Sequence, residues 1–266
     1  MKNRKANLPV GIFDSGLGGL TVLAEAIKAL PQEDFVYLGD TAHLPYGTKS
    51  KEVIIKLAIN NILFLLRQKV KFVIVACNTT SAVALPYIQS YFNVPLLGVV
   101  EAGVKAAANS SLNPMGVIGT PATIASRAYQ NALQRANQKL KVYSTACPLF
   151  VPLAEEGLHH SPLAEAAAEL YLGKYRGKIN GLILGCTHYP LLKKVISNTL
   201  PQVRLFDSSV EVVRFLRREM TEQRLLKGGK QRGRITIFLT DKAPYFSRLA
   251  YEIIKRRIKP LIVNNV

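Results

Sequence analysis

Tryptophan is absent from the 266 residues, and cysteine occurs only three times. Three thiols cannot build a full disulfide framework, which excludes a cystine-stapled secreted scaffold and leads to the expectation of a reducing, cytoplasmic setting. Long apolar runs are also missing. The richest region, Ile54 to Cys77, is broken by Lys56, Asn60, Asn61, Arg67, Lys69 and Lys71, whereas a spanning helix needs about 20 mostly apolar residues. No membrane partner is expected. Lys2, Arg4 and Lys5 imitate the start of a signal peptide, but the apolar stretch behind them ends at Asp14, too early for a signal core.

Acidic residues are scarce, 17 against 35 basic, for a formal net charge of +18. Residues 201–266 hold fifteen Lys or Arg against six Asp or Glu, half of that excess. A nucleic-acid surface is one reading of this bias, and attraction of a small anionic substrate is another. Arg214, Arg217, Arg218 and Arg224 alternate mainly with apolar residues, with Phe215 the single aromatic among them. Solvated helix faces are therefore preferred to nucleic-acid binding.

What is present is a regular alternation of short apolar runs and amphipathic stretches. Strands are expected at Val10–Phe13, Phe35–Leu38, Phe72–Ala76, Pro95–Val100, Met115–Ile118, Val142–Ser144, Leu182–Leu184, Val203–Phe206 and Ile235–Leu239. Helical patterns lie between them, among them Leu20–Leu30, Lys51–Arg67 and a stretch through Ala84 to Tyr91. Such alternation predicts an α/β fold with mostly parallel sheets covered on both faces. Ligands then sit at the carboxyl ends of strands. An internal echo predicts two similar halves: Gly11-Ile12-Phe13-Asp14-Ser15 recurs as Gly116-Val117-Ile118-Gly119-Thr120, 105 residues on. The segment Val73 to Thr79, centred on Cys77, recurs around Cys186, 109 residues on.

The two repeated cysteines are the strongest chemical signal. A single free cysteine is ordinarily an inert core residue; two in matching contexts are not. Each follows an apolar strand and precedes a polar turn expected to open a helix, where the helix dipole lowers a thiol pKa. Asn78, Thr79 and Thr187 place neutral donors beside them, suited to a carboxylate. His188, two residues past Cys186, is a candidate acid or base. No Cys-x-x-Cys or His-x-x-x-His spacing occurs, so no metal is expected. Cys147, before Pro148, is assigned to structure, and His159-His160 to the surface. Asp14-Ser15-Gly16-Leu17-Gly18-Gly19 suggests a dinucleotide loop with Asp40 on the ribose. The fingerprint fails because Thr21 stands where a glycine or alanine is required.

Together these residues resemble the glutamate racemases of the aspartate/glutamate racemase superfamily. The likeness rests on Gly11-Ile12-Phe13-Asp14-Ser15-Gly16, Gly39-Asp40 with Pro45-Tyr46-Gly47, Ala76-Cys77-Asn78-Thr79, Cys147-Pro148-Leu149 with Glu155-Glu156-Gly157, and Leu184-Gly185-Cys186-Thr187-His188-Tyr189-Pro190. The basic C-terminal part departs from what the family leads one to expect. The resemblance implies two Rossmann-like α/β domains with pseudo-two-fold symmetry and the active site at their interface. By that analogy residues 1–97 with 207–266 form one domain, carrying Cys77, and residues 98–206 the other, carrying Cys186. It also implies a homodimer and cofactor-independent interconversion of L- and D-glutamate, supplying peptidoglycan synthesis. Cys77 and Cys186 would be the catalytic pair, assisted by Asp14 and His188. Ser15, Tyr46, Gly47, Asn78, Thr79 and Thr187 would hold the substrate, with Asp14 and His188 also in contact. Glu155 is the expected acid behind His188. A racemase acting on aspartate is the alternative.

Overall fold

The computed structural model describes residues 4–264; Lys2, the first of the signal-like basic residues, lies outside them. Two sheets form among the described residues. The first contains β1 (Val10–Asp14), β2 (Phe35–Gly39), β3 (Phe72–Val75) and β4 (Leu96–Gly98). The second contains β5 (Met115–Gly119), β6 (Val142–Ala146), β7 (Gly181–Gly185) and β8 (Arg204–Asp207). Two later strands, β9 (Ile235–Leu239) and β10 (Leu261–Ile262), return to the edge of the first sheet. The orders are β10-β9-β2-β1-β3-β4 and β6-β5-β7-β8, and every pairing is parallel. The run β2-β1-β3-β4 is repeated four strands later as β6-β5-β7-β8. The internal echo in the sequence is thus a repeat of topology, with β9 and β10 added to one copy.

Helices supply the crossovers. In the first half these are α1 (Leu20–Ala29), α2 (Lys51–Arg67), α3 (Asn78–Val83) and α4 (Leu85–Ile88). The link α5 (Val99–Ala108) leads into the second half, with α6 (Pro121–Ala125), α7 (Ala128–Ala136), α8 (Phe150–Glu155), α9 (Pro162–Leu172) and α10 (Lys193–Thr199). The chain returns through α11 (Ser208–Glu222), and α12 (Phe246–Ile254) joins β9 to β10. No helix among the described residues is long and apolar enough to cross a membrane.

Local chemistry accounts for the boundaries. Ser50 caps α2, its Oγ accepting from the Val53 N–H at 3.4 Å. Ile54, Ala58, Ile62 and Leu65 then face the core at helical spacing. The single helix expected through Ala84 to Tyr91 is instead α4 followed by a short 3₁₀ turn, Gln89–Tyr91, and is separated from α3 at Ala84. Pro86 explains the break: it has no N–H to give, so the helix restarts with Pro86 in its first turn. Strand side chains alternate between two apolar layers. Phe13, Val73 and Val75 pack on one side of the first sheet, and Ile12, Tyr37 and Ile74 on the other. Both faces are covered, so the central strands read as continuous apolar runs.

A buried charge ties distant segments behind β2. The Lys71 ammonium donates to Glu33 Oε2 at 2.6 Å, to the Ala6 carbonyl at 2.6 Å and to the Leu225 carbonyl at 2.9 Å. Both charged side chains are almost wholly buried. Lys71→Ala leaves an unpaired carboxylate in the interior and is expected to destabilise the fold by about 3 kcal/mol. Lys71→Met combined with Glu33→Leu is expected to be much milder. Urea unfolding of the two variants checks this, and equal losses would contradict the pairing argument.

Candidate active site

The strand tips of both sheets converge on one cavity of about 330 Å³. From the first half it is lined by Ser15, Tyr46, Gly47, Cys77, Asn78 and Thr79. From the second half come Glu155, Cys186, Thr187 and His188. Topology brings these residues together from the loops after β1, β2, β3 and β7, with Glu155 added from the end of α8. A wider groove of about 930 Å³ runs between α2–α4 and α5–α7, but its lining contains neither cysteine nor histidine.

The halves approach closely because glycine leaves room. A side chain at Gly18 would meet Thr187 Oγ1 at 2.4 Å and His188 Nδ1 at 2.6 Å. The glycine-rich turn after β1 therefore admits the opposite half of the protein, where the sequence pattern suggested an approaching phosphate. Thr21, which broke the dinucleotide fingerprint, donates its hydroxyl to the Gly18 carbonyl at 2.8 Å and to the Thr187 carbonyl at 3.2 Å. Asp40 is likewise committed elsewhere. It accepts from the Tyr46 hydroxyl, from Asn61 Nδ2 at 3.3 Å and from Thr240 Oγ1 at 2.8 Å. Its work is to hold the Pro45-Tyr46-Gly47 turn against the cavity.

The two thiols stand in different electrostatic surroundings. Cys77 caps α3, where a lowered pKa was expected from the helix dipole. The structure reverses this. Burial pushes the Cys77 thiol up, and the nearby Asp14 charge pushes it further, while hydrogen bonds from Ser15 and Thr80 only partly compensate. A helix of six residues cannot outweigh complete desolvation. Asp14 itself lies behind the lining and is fully buried. Burial raises its pKa, against the opposing effects of His188, the Gly19 and Gly16 amides and the Thr187 hydroxyl. Its Oδ1 accepts from Thr187 Oγ1 at 3.4 Å.

Cys186 follows β7 directly, and no α-helix starts there; the chain turns through Thr187 and His188 into a 3₁₀ segment, Tyr189–Leu192. His188 stands between two partners. Its Nδ1 is 3.6 Å from Cys186 Sγ and its Nε2 is 3.0 Å from Glu155 Oε1. Burial opposes the imidazolium, but the hydrogen bonds and charges of Cys186 and Glu155 outweigh it and hold the pKa well above the usual histidine value. A sulfur, an imidazole and a carboxylate thus form one chain leading out of the cavity.

Two positioning groups escaped the sequence reading. Tyr129, on α7, donates its hydroxyl to Asn78 Oδ1 at 2.5 Å. That fixes the Asn78 amide and leaves its N–H groups free as donors. Thr120 lies on the lining and shares a 2.9 Å hydrogen bond with Thr79 Oγ1. The signal for Thr120 was available, since it is the counterpart of Ser15 in the internal echo. Nothing local marks Tyr129. Cys147 is buried and its thiol pKa is raised by that burial, as suits a structural residue. His159 departs from expectation: it is buried, with Nε2 2.8 Å from Glu252 Oε1, whereas His160 is exposed.

Comparison with known proteins places this architecture. The Asp/Glu/Hydantoin racemase family pattern matches residues 16–216. The chain belongs to that family. It is an amino-acid racemase, an isomerase. A relative named glutamate racemase from Geobacter metallireducens is 46% identical over 243 residues, covering 90% of each chain. One from Aquifex aeolicus is 44% identical over 260 residues, 97% of this chain and 99% of the relative. Glutamate racemase from Francisella tularensis, solved in complex with D-glutamate, superposes with a TM-score of 0.92 at 39% identity, covering 97% and 98% of the two chains. A Picrophilus torridus aspartate racemase shares the fold at a TM-score of 0.61 and 18% identity.

The Cys186–His188–Glu155 chain makes stability depend on pH. The folded pKa of His188 is raised above its unfolded value of about 6.5. The stabilisation is therefore complete below that value and is lost as pH rises through the folded pKa. Glu155→Gln removes one of the groups that raise it. The stability margin of wild type over Glu155→Gln is expected to be largest near pH 6 and to close on the alkaline side. Denaturation at a series of pH values measures this. A margin independent of pH would mean that the imidazole is not held charged.

Proposed function

We propose that this racemase interconverts L- and D-glutamate without a cofactor, using Cys77 and Cys186 as two bases on opposite faces of the substrate Cα. The observation that carries the reading is the pair of cysteines at equivalent strand ends of a repeated topology, lining one small cavity. The glutamate racemases of high identity over nearly the whole chain support glutamate as substrate. Its volume of about 330 Å³ suits a small molecule. We take the two domains to be residues 1–97 with 207–266, and residues 98–206, boundaries that follow sheet membership to within one residue, at Gly98 of β4 and Asp207 of β8. Relatedness supports supply of D-glutamate to peptidoglycan and assembly as a homodimer.

Inverting a stereocentre requires loss of a proton from one face and gain from the other. A single base would have to travel around the carbanion; two fixed groups need not move. In the L-to-D direction, Cys186 as thiolate takes the Cα proton, and the electron pair stays on Cα and spreads into the carboxylate. Cys77 as thiol then delivers its own proton to the opposite face. The outcome is D-glutamate, Cys186 as thiol and Cys77 as thiolate, the starting state for the reverse reaction. The asymmetry of the site matches the state that receives L-glutamate, with the proton on Cys77. Desolvation and Asp14 keep Cys77 protonated, and a charged His188 donates toward the Cys186 sulfur. Glu155 in turn steadies that imidazolium. Ser15, the Tyr46-Gly47 turn, Asn78, Thr79 and Thr187 supply donors for the substrate's polar groups, worth most in a cavity that excludes water.

In heavy water, the enantiomer formed is expected to carry deuterium at Cα from the first turnovers, while recovered substrate does not. Cys77→Ser and Cys186→Ser are each expected to lose racemisation by at least about a hundredfold. Full activity in either variant would remove the two-base reading, and a clear preference for aspartate would replace the substrate. Tyr129→Phe removes the bond that orients Asn78 and should raise KM for glutamate about fivefold with a smaller change in kcat. Steady-state kinetics with a wild-type-like KM would show that Asn78 does not hold the substrate.

A further inference from the structure

A second cluster of ligating groups lies outside the cavity. After α8, Gly157 adopts a left-handed conformation, φ +72°, and the Leu158 N–H returns to the Leu153 carbonyl at 2.7 Å. Four residues past Gly157, Ser161 caps α9, its Oγ accepting from the Ala164 N–H at 3.4 Å. His159 and His160 are confined in the turn between these two helix ends. Neighbouring side chains usually diverge, but here the imidazole rings converge, with centroids 4.5 Å apart at 65°. Glu252 of α12 faces them. One ligand atom each from His159, His160 and Glu252 lie within 4.8 Å of one another.

We propose that His159, His160 and Glu252 bind a divalent metal of the zinc class. Two imidazoles and a carboxylate are a nitrogen and oxygen set that Zn²⁺ accepts, with a fourth position for water. His160 is exposed, so the ion has a route in and a solvent-facing side. His159 is buried, and its Nδ1 has no hydrogen-bond partner among the described residues. No second acceptor therefore fixes the ring tautomer, and Nε2, now 2.8 Å from Glu252 Oε1, can exchange its proton for a metal. In the neutral ring that proton moves to Nδ1 as the metal takes the Nε2 lone pair, so the ligand stays a neutral imidazole. The surroundings suit a clamp. Arg248 of α12 already donates to the Glu156 carbonyl at 2.5 Å, and Tyr245 hydrogen-bonds the Glu156 side chain. A metal at this position would pin the turn after α8, the helix that presents Glu155, to α12 of the first half.

Co²⁺ titration of the full-length protein tests this. The background is Cys77→Ser with Cys186→Ser, so that active-site thiols do not compete. One Co²⁺ per chain is expected, with a d–d spectrum of nitrogen and oxygen ligation and a raised Tm. His160→Asn, at an exposed position, and Glu252→Gln should each weaken binding at least about tenfold while the metal-free Tm stays close to that of the background. Absence of binding overturns the proposal. So does affinity unchanged in both variants, or a thiolate-to-cobalt charge-transfer band as the only signal.

Discussion

The site depends on a polar seam buried between two layers of strand ends. Asn78 meets Tyr129, Thr79 meets Thr120 and Thr123, Thr21 meets the Thr187 carbonyl, and Thr187 meets Asp14. Every one of these bonds joins a residue of the first half to one of the second. Each partner is buried, so leaving any of them unmade would strand a polar group away from water. The seam therefore fixes the distance and orientation between the two cysteine-bearing strand ends. Gly18 and Gly47 make the approach sterically possible, since a side chain at either would strike Thr187 or Thr120.

Within that frame the protein treats two chemically identical thiols unequally. Cys77 shares its surroundings with a buried carboxylate, and Cys186 with an imidazole backed by another carboxylate. Charge placement, more than the helix dipole, distinguishes them. A dipole acts through partial charges over one turn, whereas Asp14 and His188 are ionisable groups beside the sulfurs, in a medium that screens charge poorly. On the proposed two-base reading, this asymmetry gives the two sulfurs different partners before any substrate arrives.

The basic excess finds a structural outlet on helix surfaces. Arg214 pairs with Glu211 at 2.8 Å, and Arg218 reaches Glu219 at 3.4 Å and Glu222 at 3.6 Å, all along α11. Arg218 also lies 4.8 Å over the Phe215 ring. The arginines of this helix are solvated, as the sequence pattern predicts, and they also pair with acids along it. Lys71 is the counterexample: its charge is buried, and it serves as a structural tie rather than as part of a surface field.

Much of the fold was legible from period and punctuation. Apolar runs such as Phe72–Val75, and the Ser50-capped pattern of Lys51–Arg67, are set by short-range chemistry, so their positions could be read directly. The repeat of Cys77 at Cys186 survived as sequence because both thiols occupy the same place in a repeated topology. Tyr129, the commitment of Asp40 to Tyr46, and the buried His159 facing Glu252 were not legible. Tyr129 and His159 depend on partners 51 and 93 residues away, and the Asp40–Tyr46 contact, though only six residues apart, closes across a turn that no periodic pattern records. The raised pKa of Cys77 belongs to the same class. The residues alone determined which groups stand at the strand tips; only tertiary packing decided how deeply each is desolvated and which charge lies beside it, because burial and electrostatic neighbours are properties of the assembled chain.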